Sequence, residues 1–168
     1  GHAYYLLDED SWTNSEAKAS SLGGHLVSIT NQQEQDWVWN NFGTGQGRHL
    51  WIGLTDAESE GNFRWSTGEL FSYTNWSPGE PSNDFGGEHW VHLDGYRNGT
   101  WNDHHEDFPS RVVLPIYGVA EVIPNLAPPT LDPIADVTIN EDAAQQTVNL
   151  AGISAGGGES QPLRVTAS

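Results

Sequence analysis

Two helix-start patterns, followed by a long series of short strand segments, constrain the fold of this 168-residue chain. Thr13 with Glu16, and Asn31 with Glu34, each place a capping residue three positions before a glutamate, which predicts two helices. Beyond them, short apolar segments alternate with Gly, Asn, Asp and Pro, as in a mainly antiparallel sheet. The order predicts an α+β domain. The expected helix bounds are 13–22 and 31–43.

The predicted strands are rich in aromatic residues, which we expect to fill the core. The segments are 4–7, 26–29, 50–54, 63–65, 88–93, 99–101 and 112–122. Asn98-Gly99 is a turn signal that would place Trp101 at a strand edge. The expected core aromatics are Trp51, Phe63, Trp65, Trp76, Trp90 and Trp101.

Charge and composition exclude several classes of partner. Six basic residues against 23 acidic ones give a formal net charge of −17, which disfavours nucleic acid and anionic membrane surfaces. The same excess is also compatible with solubility alone. Cysteine is absent, so the chain has no disulfides and no thiolate metal site. No apolar stretch is long enough to predict membrane insertion.

Side chains with oxygen atoms are concentrated in three nearby segments of the sequence. These are Glu80-Pro81-Ser82-Asn83-Asp84, then Glu88, then Trp101-Asn102-Asp103. Calcium takes about six to eight oxygen ligands in a flexible shell, so this pattern favours a calcium site. The alternative from the residues alone is a solvated acidic loop.

Histidines are less convincing ligands in the sequence. His104-His105-Glu106-Asp107 suggests a transition metal, but adjacent residues on an extended strand face opposite sides. His89 and His92 are three apart on a predicted strand and should also diverge. A glycosidase pair of Glu80 and Glu88 is disfavoured, because both lie in the loop that a cation already explains. We therefore expect no enzymatic activity.

The composition changes at Pro124. Four prolines between residues 124 and 133 indicate a linker, and the later segments 137–139 and 147–150 alternate like strands. A β-sandwich needs about 100 residues, so residues 123–168 predict a short all-β or extended fragment, the truncated start of a sandwich repeat. We expect the chain to be part of a larger multidomain protein.

The ordered motifs of residues 1–122 resemble the C-type lectin-like domain. They are Trp51-Ile52-Gly53-Leu54, Phe63-Arg64-Trp65, Asn75-Trp76, Glu80-Pro81-Ser82, Glu88, Trp101-Asn102-Asp103 and the segment from Trp12 to Leu22-Gly23-Gly24-His25-Leu26. The resemblance implies two helices, antiparallel sheets and a long calcium-binding loop. The tail, from Pro129 to Asp142, is similar to immunoglobulin- or cadherin-like repeats of bacterial surface proteins, which favours a bacterial-type, extracellular source.

The resemblance also implies a set of ligands. The principal calcium site would comprise Glu80, Ser82, Glu88, Asn102 and Asp103, and the sugar would bind Glu80, Glu88, Asn102 and Asp103. A possible second calcium site would comprise Asp56, Glu60 and Asn83, sharing Glu88. Ser82 stands where the family has asparagine, so we expect weaker binding of calcium, sugar or both. The family's disulfide positions correspond to Ala19, Trp90 and Ala120, and the Glu80-Pro81 bond is expected to be cis.

The resulting functional prediction is calcium-dependent carbohydrate binding, with Ca²⁺ as the cofactor and glycans on cell surfaces or glycoproteins as partners. The position of Glu80 before Pro81 favours mannose-, fucose- or N-acetylglucosamine-type sugars, bound through equatorial hydroxyls. The alternative is a protein- or surface-binding domain of the same fold within a large adhesin, without sugar recognition. Both alternatives imply an extracellular location.

Overall fold

A seven-stranded sheet with two helices occupies the part of the chain that the computed structural model describes, residues 1–84, 87–106 and 115–123. A π-helical turn, Trp39–Gly43, continues the second helix. The elements in chain order are β1 Ala3–Glu9, α1 Trp12–Ser21, β2 Gly24–Leu26, α2 Gln32–Val38, β3 His49–Thr55, β4 Arg64–Trp65, β5 Trp90–Leu93, β6 Trp101–His104 and β7 Ile116–Val122.

The sheet is mixed, with the order β1-β7-β3-β5-β6. Strand β2 also pairs with β7, and β4 pairs with β3. All these pairs are antiparallel except β3 with β7, which is parallel. The predicted α+β class is confirmed, and the parallel pair is an addition that local sequence patterns did not indicate. The sheet pairs β5, which follows the acidic segment, with the central strand β3, and β6 pairs with β5 at the sheet edge.

Strand β3 is buried on both faces, which divides the core into two clusters. Leu50, Ile52 and Leu54 point into the larger cluster, while Trp51 points into a smaller one with Trp12 of α1. Successive strand residues face opposite sides, so a continuous apolar run serves both clusters. The predicted core aromatics divide accordingly: Trp51, Trp65 and Trp101 are fully buried, while Phe63, Trp76 and Trp90 are partly buried against the two clusters.

Helix α1 begins one residue earlier than predicted, and its cap is different. Ser11 is the N-cap, and its hydroxyl accepts a hydrogen bond from the Asn14 N–H (3.2 Å). Glu16 does not close a capping box with Thr13, because its carboxylate accepts from the Leu26 N–H (2.8 Å) and contacts Ser66. The predicted capping box at Thr13 is therefore wrong. A tertiary contact replaces the capping bond, because Glu16 instead links α1 to β2.

The second helix begins as predicted. Asn31 is the N-cap and accepts a hydrogen bond from the Glu34 N–H (3.0 Å). The Glu34 carboxylate accepts a hydrogen bond from the N–H of Thr30 (2.8 Å) rather than from that of Asn31. Burial raises the pKa of Glu34, against the opposing effect of its bonds to Thr30. The π-helical turn then ends at Gly43, the predicted end of the helix.

Three strand predictions need correction. Strand β2 ends at Leu26, although the prediction ran from 26 to 29. The Val27 N–H still donates to the Val119 carbonyl of β7 (2.8 Å), but the Val27 carbonyl accepts from the Gly53 N–H of β3 (2.9 Å). Strand β6 begins at Trp101, where the predicted segment 99–101 ended. Residues 98 and 99, with φ of 57° and 75°, form the predicted turn instead. The predicted strand 112–122 is observed from Ile116, and residues 112–114 lie outside the described residues.

The C-terminal predictions mostly lie outside the described residues, which form one unit ending at Ile123. The linker and the truncated repeat over residues 123–168 therefore stay predictions. In the described ranges, neither helix is long and apolar enough to cross a membrane. Ala19 and Ala120, which correspond to disulfide positions in the resembled family, are both fully buried and contribute to packing.

The hydrogen bonds of the Asp10 carboxylate at the start of α1 lead to a prediction about stability. Its carboxylate accepts hydrogen bonds from Lys18 Nζ (2.8 Å), Asn14 Nδ2 (2.7 Å) and the Ser11 N–H (2.9 Å). These bonds, that of Lys18 first, lower the pKa of Asp10 from 3.8 to about 2. Because the folded-state pKa is depressed, the stabilisation is present above about 3.8 and is lost as the pH falls through about 2. We expect Asp10→Asn to lower the free energy of unfolding by about 1 kcal/mol at neutral pH.

Denaturant unfolding of the wild-type chain and the Asp10→Asn variant at a series of pH values measures this effect. The difference should shrink as the pH falls from about 4 to about 2, because the Asp10 side chain of the folded wild-type chain becomes neutral as the pH falls through about 2. Asp8→Asn, at an exposed position on β1, is the matched control and should have little effect. A pH-independent difference would contradict the electrostatic explanation.

Candidate binding site in the acidic loop

The acidic loop begins beside Trp101, the first residue of β6. The Trp101 N–H donates to the Asn75 carbonyl (2.8 Å), and the Ser77 N–H donates to the Trp101 carbonyl (2.8 Å). The Glu80 N–H in turn donates to the Ser77 carbonyl (2.9 Å), which starts a turn. The Glu80-Pro81 bond is cis, as the resemblance implied. The backbone thus holds the start of the loop next to the strand that carries Asn102 and Asp103.

Two buried carboxylates hold the centre of the loop. Asp103, 1% exposed, accepts hydrogen bonds from the backbone N–H groups of Ser82 (3.0 Å) and Asn83 (3.2 Å). Glu88, 7% exposed, accepts from the Asp84 N–H (2.7 Å) and from the Ser82 hydroxyl (3.3 Å). The loop therefore wraps around two negative charges. Three of the expected principal ligands, Ser82, Glu88 and Asp103, lie together.

The electrostatics of Glu88 are unfavourable without a cation. Burial raises the pKa of Glu88, and the nearby charge of Asp103 raises it further. The hydrogen bonds from the Asp84 N–H and the Ser82 hydroxyl oppose this shift, though burial outweighs them. Bringing two like charges together out of water is costly unless an opposite charge joins them. A bound cation would remove this cost.

Glu80 offers an unused ligand atom. Its Oε1 accepts a hydrogen bond from Arg97 Nη1 (3.2 Å), and the same guanidinium lies 3.5 Å from Asp94 Oδ2. Glu80 Oε2 is buried and has no hydrogen-bond partner among the described residues. An unpaired buried carboxylate oxygen is unfavourable, and coordination of a hard cation would satisfy it. The chemistry of the donor set therefore fits a calcium ion. The carboxylate oxygens of Glu80, Glu88 and Asp103 do not all lie within 4.8 Å of one another, so the structure does not bring Glu80 together with the other two.

Asn102 lies at the edge of the same site. Its side-chain Nδ2 donates to the Asp103 carbonyl (2.8 Å) and lies 3.3 Å from His92 Nε2. Burial lowers the pKa of His92 well below its usual value, with additional effects from His49 and His104. Because the Asn102 amide nitrogen can only donate, His92 Nε2 is the acceptor of this contact. The Asn102 amide and the Asp103 carbonyl are therefore adjacent.

A second cluster forms between β3 and β5. His89 Nδ1 lies 3.0 Å from Asp56 Oδ1 and 3.5 Å from Glu60 Oε2. Within the described ranges, this is the one group of three or more acidic or histidine side chains whose ligand atoms all lie within 4.8 Å of one another. Asp56 and Glu60, the expected residues of the second calcium site, are thus together, and an imidazole that the sequence interpretation rejected lies between them.

Asn83, the third residue expected at the second site, has another role in this structure. Its Oδ1 accepts hydrogen bonds from the N–H groups of Gly87 (2.7 Å) and Glu88 (3.1 Å). Its backbone has φ of 48°, in the left-handed region that asparagine tolerates better than most residues. Asn83 therefore closes the acidic loop on itself.

His89 joins this cluster because β3 pairs with β5, and knowledge of that pairing would have identified it. Thr55 is the register partner of Trp90, so the next residue of one strand, Asp56, meets the preceding residue of the other, His89. Their backbones are also joined, by a hydrogen bond from the Asp56 N–H to the His89 carbonyl (3.2 Å). Local patterns do not specify which strands pair, so this proximity was missed.

The described residues thus combine a mixed sheet and two helices with a loop closed over two buried carboxylates. The family model described as Lectin C-type domain matches residues 8–113. Because this match covers more than half of the chain, the chain belongs to the C-type lectin domain family.

Curated relatives agree with this assignment. The chain is 40% identical over 100 residues to the low affinity immunoglobulin epsilon Fc receptor of Mus musculus, a match covering 60% of this chain and 29% of the relative. It is 37% identical over 105 residues to the versican core protein of Rattus norvegicus, covering 61% of this chain and 4% of the relative. The chain thus spans less than a third of the length of either protein.

Solved structures show the same fold. The cow C-type carbohydrate-recognition domain of CD23, in the presence of GlcNAc2Man3 oligosaccharide, superposes with a TM-score of 0.62 and 31% identity, covering 71% of this chain and 86% of that one. The C-type lectin CEL-I from Cucumaria echinata superposes with a TM-score of 0.64 and 27% identity, covering 71% and 89%.

The side chain of Gln35 connects helix α2 to the start of β6, which carries Asn102 and Asp103 of the candidate site. This residue of α2 is 3% exposed; its Nε2 donates to the Gly99 carbonyl (2.9 Å), and its Oε1 accepts from Trp101 Nε1 (2.7 Å). Gln35→Leu keeps a similar volume but leaves two buried polar groups unpaired. We expect the free energy of unfolding to fall by about 2–3 kcal/mol.

Thermal and denaturant unfolding measure the change. Gln33→Leu, on an exposed position of the same helix, is the matched control and should change stability by less than about 0.5 kcal/mol. If the two variants were equally stable, Gln35 would not be an anchor for β6.

Proposed function

We propose that this domain binds carbohydrates through a calcium ion held by Glu80, Ser82, Glu88, Asn102 and Asp103. The observation that carries the proposal is the unpaired, buried Oε2 of Glu80 beside a loop closed on two further buried carboxylates. Oxygen-only ligands of mixed carboxylate, hydroxyl and amide type suit calcium. The function follows from this donor set together with the family to which the chain belongs.

The donor set also explains how a sugar would be held. Calcium, when bound, supplies a positive centre at which two neighbouring sugar hydroxyls can replace water. The carboxylates of Glu80, Glu88 and Asp103 accept the hydroxyl protons, and the Asn102 amide is the donor of the set. The site therefore combines acceptors and a donor, as recognition of a hydroxyl requires.

We propose mannose-, fucose- or N-acetylglucosamine-type sugars as the ligands, on glycans of cell surfaces or glycoproteins. The support is the Glu80-Pro81 order and the similarity to the CD23 domain that was studied with GlcNAc2Man3 oligosaccharide. Affinity for one sugar should be about millimolar, because few contacts remain after the cost of association. Neighbouring domains of a longer chain would add avidity.

The location of this domain and the kind of protein that contains it are also part of the proposal. We infer an extracellular, non-enzymatic domain of a larger protein, since the chain belongs to a family of lectin domains. The relatives reported above are animal proteins, so they give no support to the bacterial source or the cadherin-like repeat expected from the sequence. Those two points stay predictions.

A second candidate function is protein or surface binding without sugar recognition. Ser82 favours it, because its hydroxyl already donates to Glu88 and its short side chain replaces an amide donor. The mouse relative is named as a receptor for an immunoglobulin, which is a protein ligand. Binding of a partner that persists after removal of calcium would favour this candidate.

The first prediction from the calcium proposal concerns chelation. Glycan-array binding measured with calcium and then with excess chelator should be lost with the chelator. The melting temperature should fall in parallel, because a cation bound only by the folded state stabilises that state. If chelation altered neither signal, the calcium proposal would have to be abandoned.

The second prediction separates calcium from sugar. Asn102→Asp keeps an oxygen ligand but removes the amide donor, so calcium binding by titration calorimetry should persist while sugar affinity falls about tenfold or more. Asn40→Asp adds the same charge at an exposed, distant position and is the matched control. Parallel loss of calcium and sugar affinity would show that residue 102 is structural.

A further inference from the structure

The Asp56–Glu60–His89 cluster does not fit the calcium site that the family resemblance implies. That site would use the oxygens of Asp56, Glu60 and Asn83, but the atom lying between the two carboxylates is the His89 Nδ1 nitrogen. The Asn83 oxygen is occupied by backbone N–H groups of the acidic loop. Calcium prefers oxygen ligands, whereas imidazole suits zinc and similar transition metals.

The distances within the cluster match a small tetrahedral ion. Zinc binds nitrogen and carboxylate oxygen at about 2.0–2.2 Å, which places two ligand atoms of a tetrahedron about 3.3 Å apart. The separations from His89 Nδ1 to Asp56 Oδ1 and to Glu60 Oε2 are 3.0 and 3.5 Å, on either side of this value. The ligand atoms of all three side chains lie within 4.8 Å of one another.

The backbone already fixes two of the three ligands. The Asp56 N–H donates to the His89 carbonyl, and the Gly61 N–H donates to Asp56 Oδ2 (2.7 Å), which leaves Oδ1 facing the imidazole. Glu60 follows in the same turn, which is closed by a bond from the Ser59 N–H to the Asp56 carbonyl (2.8 Å). Ligands held in place before binding lower the cost of ordering the site.

The cluster has one buried ligand and two ligands that solvent can reach. Asp56 is 1% exposed, whereas the side chains of His89 and Glu60 are 27% and 53% exposed. An ion can therefore enter from solvent, and its fourth position would face water. Three protein ligands with one open position are typical of zinc sites that exchange a ligand.

We propose that Asp56, Glu60 and His89 form a binding site for a divalent transition metal of the zinc class, separate from the calcium site of the acidic loop. The site would hold the β3 end, the 56–61 turn and the β5 start together. It requires no change to the carbohydrate-binding proposal and does not depend on it.

The experiment titrates the folded chain, in saturating calcium, with zinc chloride by calorimetry and with cobalt(II) by visible absorption. We expect one equivalent of zinc to bind, a rise in melting temperature, and a cobalt spectrum of tetrahedral type. His89→Gln should weaken zinc binding at least tenfold. His25→Gln is the matched control, because His25 contacts one carboxylate, that of Glu16, outside the cluster.

Two further variants keep the test decisive if His89→Gln folds poorly. Glu60→Gln alters only the most exposed ligand and should also weaken zinc. His89→Asp makes the cluster all-oxygen and should abolish the tetrahedral cobalt spectrum. The proposal is overturned if zinc fails to bind, or if it binds equally to the Glu60→Gln, His89→Gln and His25→Gln chains; the cluster would then be a histidine–carboxylate ion pair only. Because glycan binding is not the readout, failure here leaves the calcium proposal untouched.

Discussion

The contacts of Trp101 join the core of this domain to its binding site. The indole is fully buried, with edge-on contacts to Trp65, Tyr73 and Trp76 at centroid distances of 5.6–5.9 Å. Its N–H donates to Gln35 of α2, so one side chain links the helix, the sheet and the loop. Because Asn102 and Asp103 follow directly, their positions depend on this packing. A rigid hydrophobic anchor of this kind allows an acidic site to persist without disulfides.

The acidic loop illustrates how charge can be concentrated without unfolding the chain. Asp103 and Glu88 each accept two hydrogen bonds from loop residues 82–84, so part of the cost of burial is recovered within the loop itself. The recovery is incomplete, since burial still raises the pKa of Glu88 and one oxygen of Glu80 is unpaired. The remaining deficit is what a cation would supply, and it is the physical link between the fold and the proposed function.

Sequence patterns predicted the features that depend on local chemistry. The Asn31 cap, the turn at Asn98-Gly99 and the burial of Trp51 and Trp101 all follow from residue type and spacing, and all are observed. Features decided by tertiary competition could not be predicted in the same way.

Glu16 is an example of that competition, since it belongs to a plausible capping box yet bonds β2. The parallel pairing of β3 with β7 and the register of β3 with β5 likewise depend on long-range packing. The grouping of His89 with Asp56 depends on that register. The sequence therefore indicated Asp56 and Glu60 as members of one site but gave no reason to include the imidazole of His89.

The contrast between Glu88 and His89 shows how one short segment can serve two sites. On extended backbone, neighbouring side chains point to opposite sides. Glu88 accordingly turns to Ser82 and Asp84 of the acidic loop, while His89 turns to Asp56 at the end of β3. Residue type then assigns the cation: a carboxylate among oxygens favours calcium, and an imidazole between carboxylates favours a transition metal. Adjacent residues of one segment, rather than a separate loop for each ion, would thus place the two proposed sites side by side.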